Sequence, residues 1–165
     1  MNRQKGFSLI ELLIVVAIIL IIAAIAIPNL LRSKMAANES SAVGSIRSIN
    51  TAEVAYSTSF PNAGFSGTLA NLGGVPPCPV ASTAAACLVD NTLANASAAA
   101  TGKSGYWFTY TAGAAGPTGA VSTYTLTGQP ITAGTTGQRG FYTDQSLVIR
   151  YAISGAATLA SSPLQ

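Results

Sequence analysis

Few residues of this 165-residue chain could do chemistry, and those few are spread thinly. Histidine is absent, which removes the commonest acid or base near neutral pH and a frequent metal ligand. Five acidic side chains and eight Lys or Arg remain, with two cysteines, Cys78 and Cys87. The most informative of them is Glu11. It stands between Phe7-Ser8-Leu9-Ile10 and an uninterrupted apolar run from Leu12 to Ile27. A carboxylate inside hydrocarbon is costly and normally marks a specific pairing or function. The alternative is a glutamate that snorkels to a polar interface. Neither reading makes Glu11 a catalytic base, because no partner nucleophile, metal ligand set or phosphate-binding loop accompanies it. An enzyme is therefore not expected, and no cofactor or metal is expected.

Cys78 and Cys87 chiefly suggest structure. If the downstream part is exported, they form an intrachain disulfide across a short loop. In a reducing compartment they would instead be buried or free thiols. Without a Cys-x-x-Cys spacing or a basic neighbour a redox role is not expected. The formal charge of +3 does not describe a nucleic-acid binder either, since Arg32, Lys34, Arg47, Lys103, Arg139 and Arg150 are scattered.

The elements that must carry these residues follow from periodicity. A helix from Phe7 to Ile27 would be about 31 Å long, close to the hydrocarbon thickness of a bilayer. Arg3 and Lys5 lie on its N-terminal side, so the basic flank would stay cytoplasmic and the remainder would cross. A cleaved secretory signal is the rival reading, because Ala24-Ile25-Ala26 supplies small residues after an apolar core. Glu11 within that core speaks against it. Beyond Leu30 the pattern turns amphipathic: Leu31, Met35, Ala42, Ile46, Ile49 and Tyr56 recur at helical spacing. Asn38, Glu39 and Asn50 fall largely off that stripe. One helix is thus expected from residue 7 to 56, with Pro28 as a kink.

Residues 57–165 read as a globular domain. Gly and Pro punctuate 57–79, and Val89 to Ala100 suggests a short helix. Strands are expected at Tyr106–Thr111, Val121–Leu126, Gly140–Thr143 and Leu147–Ala152, separated by turns over 113–119 and 128–137. Alternation would bury Tyr106, Phe108 and Tyr110 on one face and leave Trp107 on the other. A core or packing role is favoured for these aromatics over a ligand platform. Asp144 and Arg150 are expected to pair locally or cap turns. The fold class is α+β: a long N-terminal helical spine packed at its C-terminal half on an antiparallel sheet.

The run Lys5-Gly6-Phe7-Ser8-Leu9-Ile10-Glu11-Leu12-Leu13-Ile14-Val15-Val16-Ala17-Ile18 resembles the class III signal and N-methylation motif of type IV pilins and the related pseudopilins. That resemblance implies a leader over residues 1–6, cleavage by a prepilin peptidase between Gly6 and Phe7, and methylation of the new Phe7 amine. Loss of Arg3 and Lys5 would lower the net charge to +1. It implies that Glu11 aligns an incoming subunit, where a neighbour's Phe7 amine could neutralise it. Pro28 matches the family's helix-kinking proline. The implied partners are further copies in a helical homopolymer, membrane lipid before assembly, an inner-membrane assembly platform with its ATPase-driven machinery, and minor pilins. The precursor would sit in the inner membrane and the assembled filament at the cell surface. The function implied is a type IV pilus subunit, with a type II secretion pseudopilin as the alternative.

Overall fold

A computed structural model of the chain describes residues 7–75, 77–78 and 80–164. The leader expected over 1–6, with Arg3, Lys5 and Gly6, lies outside them. The described residues divide into two compact units, with the boundary between Lys34 and Met35.

A 51-residue helix, α1 (Leu9–Ser59), carries both the apolar segment and the amphipathic one. Leu, Ile and Ala dominate its first half, and Pro28 lies inside it without ending the helix. It stops at Ser59 because Phe60 precedes Pro61, whose ring disfavours helical geometry in the residue before it. In the first unit the described part is the start of this helix, and its large apolar side chains from Leu9 to Ile27 are all exposed.

In the second unit an antiparallel meander follows: β1 (Tyr106–Ala112), β2 (Tyr124–Pro130), β3 (Gly140–Asp144), β4 (Arg150–Ala152) and β5 (Ser162–Pro163), neighbours in that order. Ala42, Ile46, Ile49, Ala52 and Tyr56 of α1 join Tyr106, Phe108, Tyr124, Leu126 and Phe141 of the sheet in one core. The α+β architecture is as expected, and the alternation in β1 holds for buried Tyr106 and Phe108 and half-buried Trp107, whereas Tyr110, expected to be buried, is half-buried. Leu69, Leu72 and Leu93 extend the core under the connection between helix and sheet.

Several local expectations need correction. Leu31 is exposed rather than part of a buried stripe. Glu39 and Asn50, placed off the stripe by their polarity, are buried on it, because loop and sheet groups offer them hydrogen bonds. The second strand begins at Tyr124 and runs through Gly128 to Pro130, where a turn was expected. Its glycine is a packing device. Gly128 pairs with Phe108 on one side and Phe141 on the other. A Cβ there would lie 3.1 Å from the Phe108 ring and 3.4 Å from Ile46 Cδ1.

Val121 instead forms bridges with Gly64 and Ala115. The last expected strand shortens to β4, since Leu147 takes a positive φ of 65° in the turn that Asp144 organises. Residues 89–100 break into α2 (Asn91–Ala94) and a 3-10 turn at Ala99–Thr101. β5 carries no sequence signal, as two residues are too few to show periodicity.

Candidate processing and assembly site

The helix begins at its chemistry. Ser8 precedes the first helical residue, and its carbonyl accepts from Leu12 N at 3.2 Å. Three residues on, Glu11 Oε2 accepts from the Ser8 backbone N–H at 2.9 Å. This is the return half of a capping box, in which the carboxylate fills an otherwise unpaired donor at the helix N-terminus. The negative charge also sits at the favourable end of the helix dipole. Ser8 was not singled out from the sequence, although Ser-x-x-Glu before an apolar run is the signal that finds it.

Phe7 is 75% exposed and Glu11 is exposed with it, so both remain open to a neighbour. Gly6 lies outside the described residues. α1 is long and apolar enough to cross a membrane, and none of its most apolar eighteen-residue window is buried. Pro28 falls within this exposed stretch.

Cys78 and Cys87 form a disulfide with Cα atoms 6.3 Å apart. Both cysteines belong to the second unit, while Phe7 and Glu11 belong to the first. The expected site residues thus fall in two groups: a processing and assembly end, and a staple in the globular part. The staple packs tightly on the main chain, for a Cβ on Gly74 would lie 2.3 Å from Cys87 Sγ. Tyr56 OH donates to Thr83 O at 2.8 Å and ties the enclosed loop to the helix.

Every acidic side chain of the chain has the same kind of employment. Glu11 accepts from Ser8 N, Glu39 from Gln138 N and Arg139 N, Glu53 from Ser66 N, Asp90 from Leu93 N and Asp144 from Ser146 N. Asp90 also pairs with Lys103 at 2.8 Å, a contact that leads in holding its carboxyl below the usual range. Asp144 caps its turn as expected, while Arg150 donates to Ser161 O at 3.0 Å rather than pairing with it. Among the described residues no three His, Cys, Asp or Glu side chains gather as a metal site. Glu53 was missed by sequence reading: it is fully buried, and nothing in its neighbours marks it except its helical spacing from Ile46, Ile49 and Tyr56.

A family model described as the prokaryotic N-terminal methylation motif matches residues 1–27. The chain is 46% identical over 54 residues to the type IV major pilin protein PilA of Myxococcus xanthus, a match covering 33% of this chain and 24% of that protein. It is 62% identical over 39 residues to the type IV wide pilus major component PilA4 of Thermus thermophilus, covering 24% of this chain and 30% of that protein. The chain therefore spans less than a third of the length of either relative. No solved structure matches significantly. Over residues 1–27 the chain carries the prokaryotic N-terminal methylation motif, and it is similar in part to type IV major pilins.

Proposed function

We propose that this chain is a structural subunit of a type IV pilus, polymerising through α1 into an extracellular filament. The observation that carries the reading is Glu11 at the head of a helix whose apolar surface is exposed on all sides. Lipid can cover that surface before assembly, and the same segment of other copies can cover it afterwards. Lipid tails are as apolar as the side chains, so transfer from one to the other gains little from hydrophobicity alone. Close packing and charge neutralisation must direct it. Glu11 supplies the charge, and the Phe7 amine released by cleavage after Gly6 supplies the counter-charge.

The steps follow in order. Arg3 and Lys5 keep the leader cytoplasmic; a prepilin peptidase cuts between Gly6 and Phe7 and the amine is methylated; the mature chain waits in the inner membrane; an ATPase-driven platform, with minor pilins, adds it to the filament. Both named relatives are pilus components, which favours a pilus subunit over a type II secretion pseudopilin. The role is structural rather than enzymatic, in keeping with acidic groups that are each engaged by backbone N–H donors. The test is to shear surface filaments from the native cells and quantify this chain. Abundance in the sheared fraction supports the pilus; retention in the envelope with none in the filaments contradicts it.

A further inference from the structure

Glu53 of α1 is fully buried, and its partners make an unusual set. Its Oε2 accepts from Ser66 N at 2.9 Å, and its Oε1 is in short contact with Ser66 Oγ. Ser66 Oγ also lies 3.1 Å from Thr68 O. Tyr110 OH donates to Ser66 O at 2.8 Å and also lies close to the Glu53 carboxyl. A serine hydroxyl carries one proton, yet Ser66 Oγ faces two oxygens. With an ionised Glu53 that proton goes to the carboxylate and Thr68 O keeps Asn71 N at 3.1 Å, but the charge would be fully buried with no cation paired to it among the described residues.

With a neutral Glu53 every hydrogen bond is kept and no charge is buried. The acid donates from Oε1 to Ser66 Oγ, the Ser66 hydroxyl donates to Thr68 O, and Ser66 N donates to Oε2. We propose that Glu53 is a buried neutral acid in the folded chain, and that its ionisation loosens the segment around Ser66, making this contact a pH-keyed latch between the helix and residues 60–72.

The surroundings agree. The titratable groups facing Glu53 are Tyr56 on its own helix, Tyr110 on β1 and Tyr124 on β2, each pushed up from the ordinary tyrosine value and so neutral through the physiological range. Neither ion pair among the described residues, Lys103 with Asp90 or Arg139 with Glu39, involves Glu53. Burial raises its carboxyl above the usual value, against the opposing Ser66 and Tyr110 contacts. What the latch holds is the 3-10 turn Leu69–Leu72, whose neighbourhood bonds the segment at Cys87: Ala86 N donates to Asn71 O and Cys87 N to Gly73 O.

The test is hydrogen exchange of the full-length chain in detergent micelles, expressed as protection of residues 60–72 after correction for intrinsic rates, from about pH 5 to about pH 9. Glu53→Gln mimics the neutral acid, because its amide can donate to Ser66 Oγ while its oxygen accepts from Ser66 N. Wild-type protection should fall as pH rises, by up to about tenfold per pH unit within the titration window, whereas E53Q should stay at the acidic wild-type level throughout. A flat wild-type profile overturns the proposal, and so does a fall of equal slope in E53Q. If E53Q does not fold, the wild-type profile alone decides.

Discussion

Arg139 Nε donates to Glu39 Oε2 at 2.7 Å, joining the helix to the loop before β3 across a hundred residues of sequence. The same carboxylate takes Gln138 N at 2.8 Å and Arg139 N at 3.1 Å on its other oxygen. The backbone contacts matter more than the ion pair. Arg139 is partly exposed and can be rehydrated, whereas two N–H donors would lose a nearly buried acceptor. Glu39→Ala should destabilise the folded chain by about 2 kcal/mol, and Arg139→Ala by less than half as much. Thermal melts of the two variants in detergent check the order.

The pH dependence of stability should have two arms of opposite sign. Burial pulls the Glu39 carboxyl up, but the Gln138 and Arg139 contacts outweigh it and leave it below the usual value. Its contribution is present above the ordinary glutamate pKa and is lost as pH falls through the lower, folded value. Glu53 is raised, so its contribution is full below the ordinary value and is lost as pH rises through the folded one. Unfolding midpoints should therefore fall on both sides of a mildly acidic optimum. E39Q should weaken only the acid arm, which Asp90 shares, and E53Q only the alkaline arm.

Gly128 tests the packing between helix and sheet. Its missing side chain lets the Phe108 ring lie against β2 and under Ile46. Gly128→Val should cost about 1–3 kcal/mol by overpacking, despite valine's better strand propensity. A melt unchanged or raised by the substitution would show that Phe108 has room to move.

The disulfide closes a short loop, which restricts the unfolded chain by about 2 kcal/mol. Replacing both cysteines by serine should lower stability by that amount while leaving the sheet intact. Circular dichroism and denaturant midpoints of the full chain measure it. A loss of the sheet signal would mean that the staple holds more than its own loop.

A substitution at Glu11 separates the observed cap from the proposed role of its charge in assembly. Gln can still accept from Ser8 N, since a capping box tolerates either residue, but it carries no charge. Glu11→Gln should therefore leave helix formation and membrane insertion unchanged and reduce filament yield at least about tenfold, equivalent to ~1.4 kcal/mol per addition. Equal yields would assign Glu11 to capping alone.

How much of this was legible in the sequence depends on the signal each element leaves. The apolar block, Glu11 and the motif around Gly6-Phe7 are contiguous, and contiguous patterns survive without knowledge of the fold. The sheet was legible wherever side chains alternate, as in Tyr106-Trp107-Phe108. It was not legible at Gly128 to Pro130, because a glycine that makes room for a ring looks identical to one that makes a turn. Buried Glu39, Asn50 and Glu53 were hidden for a related reason. Their burial depends on donors at Gln138 and Ser66 and an acceptor at Thr143, and only the folded chain brings these together. Sequence reading placed polar residues outside because their partners were out of view.

The most direct test of the central claim is the mass of the N-terminal peptide of this chain in sheared, purified filaments. The account predicts a dominant species that begins at Phe7 and carries one added methyl group. A chain that begins at Ile27, after Ala24-Ile25-Ala26, would contradict it, for the helix that is meant to build the filament core would have been removed.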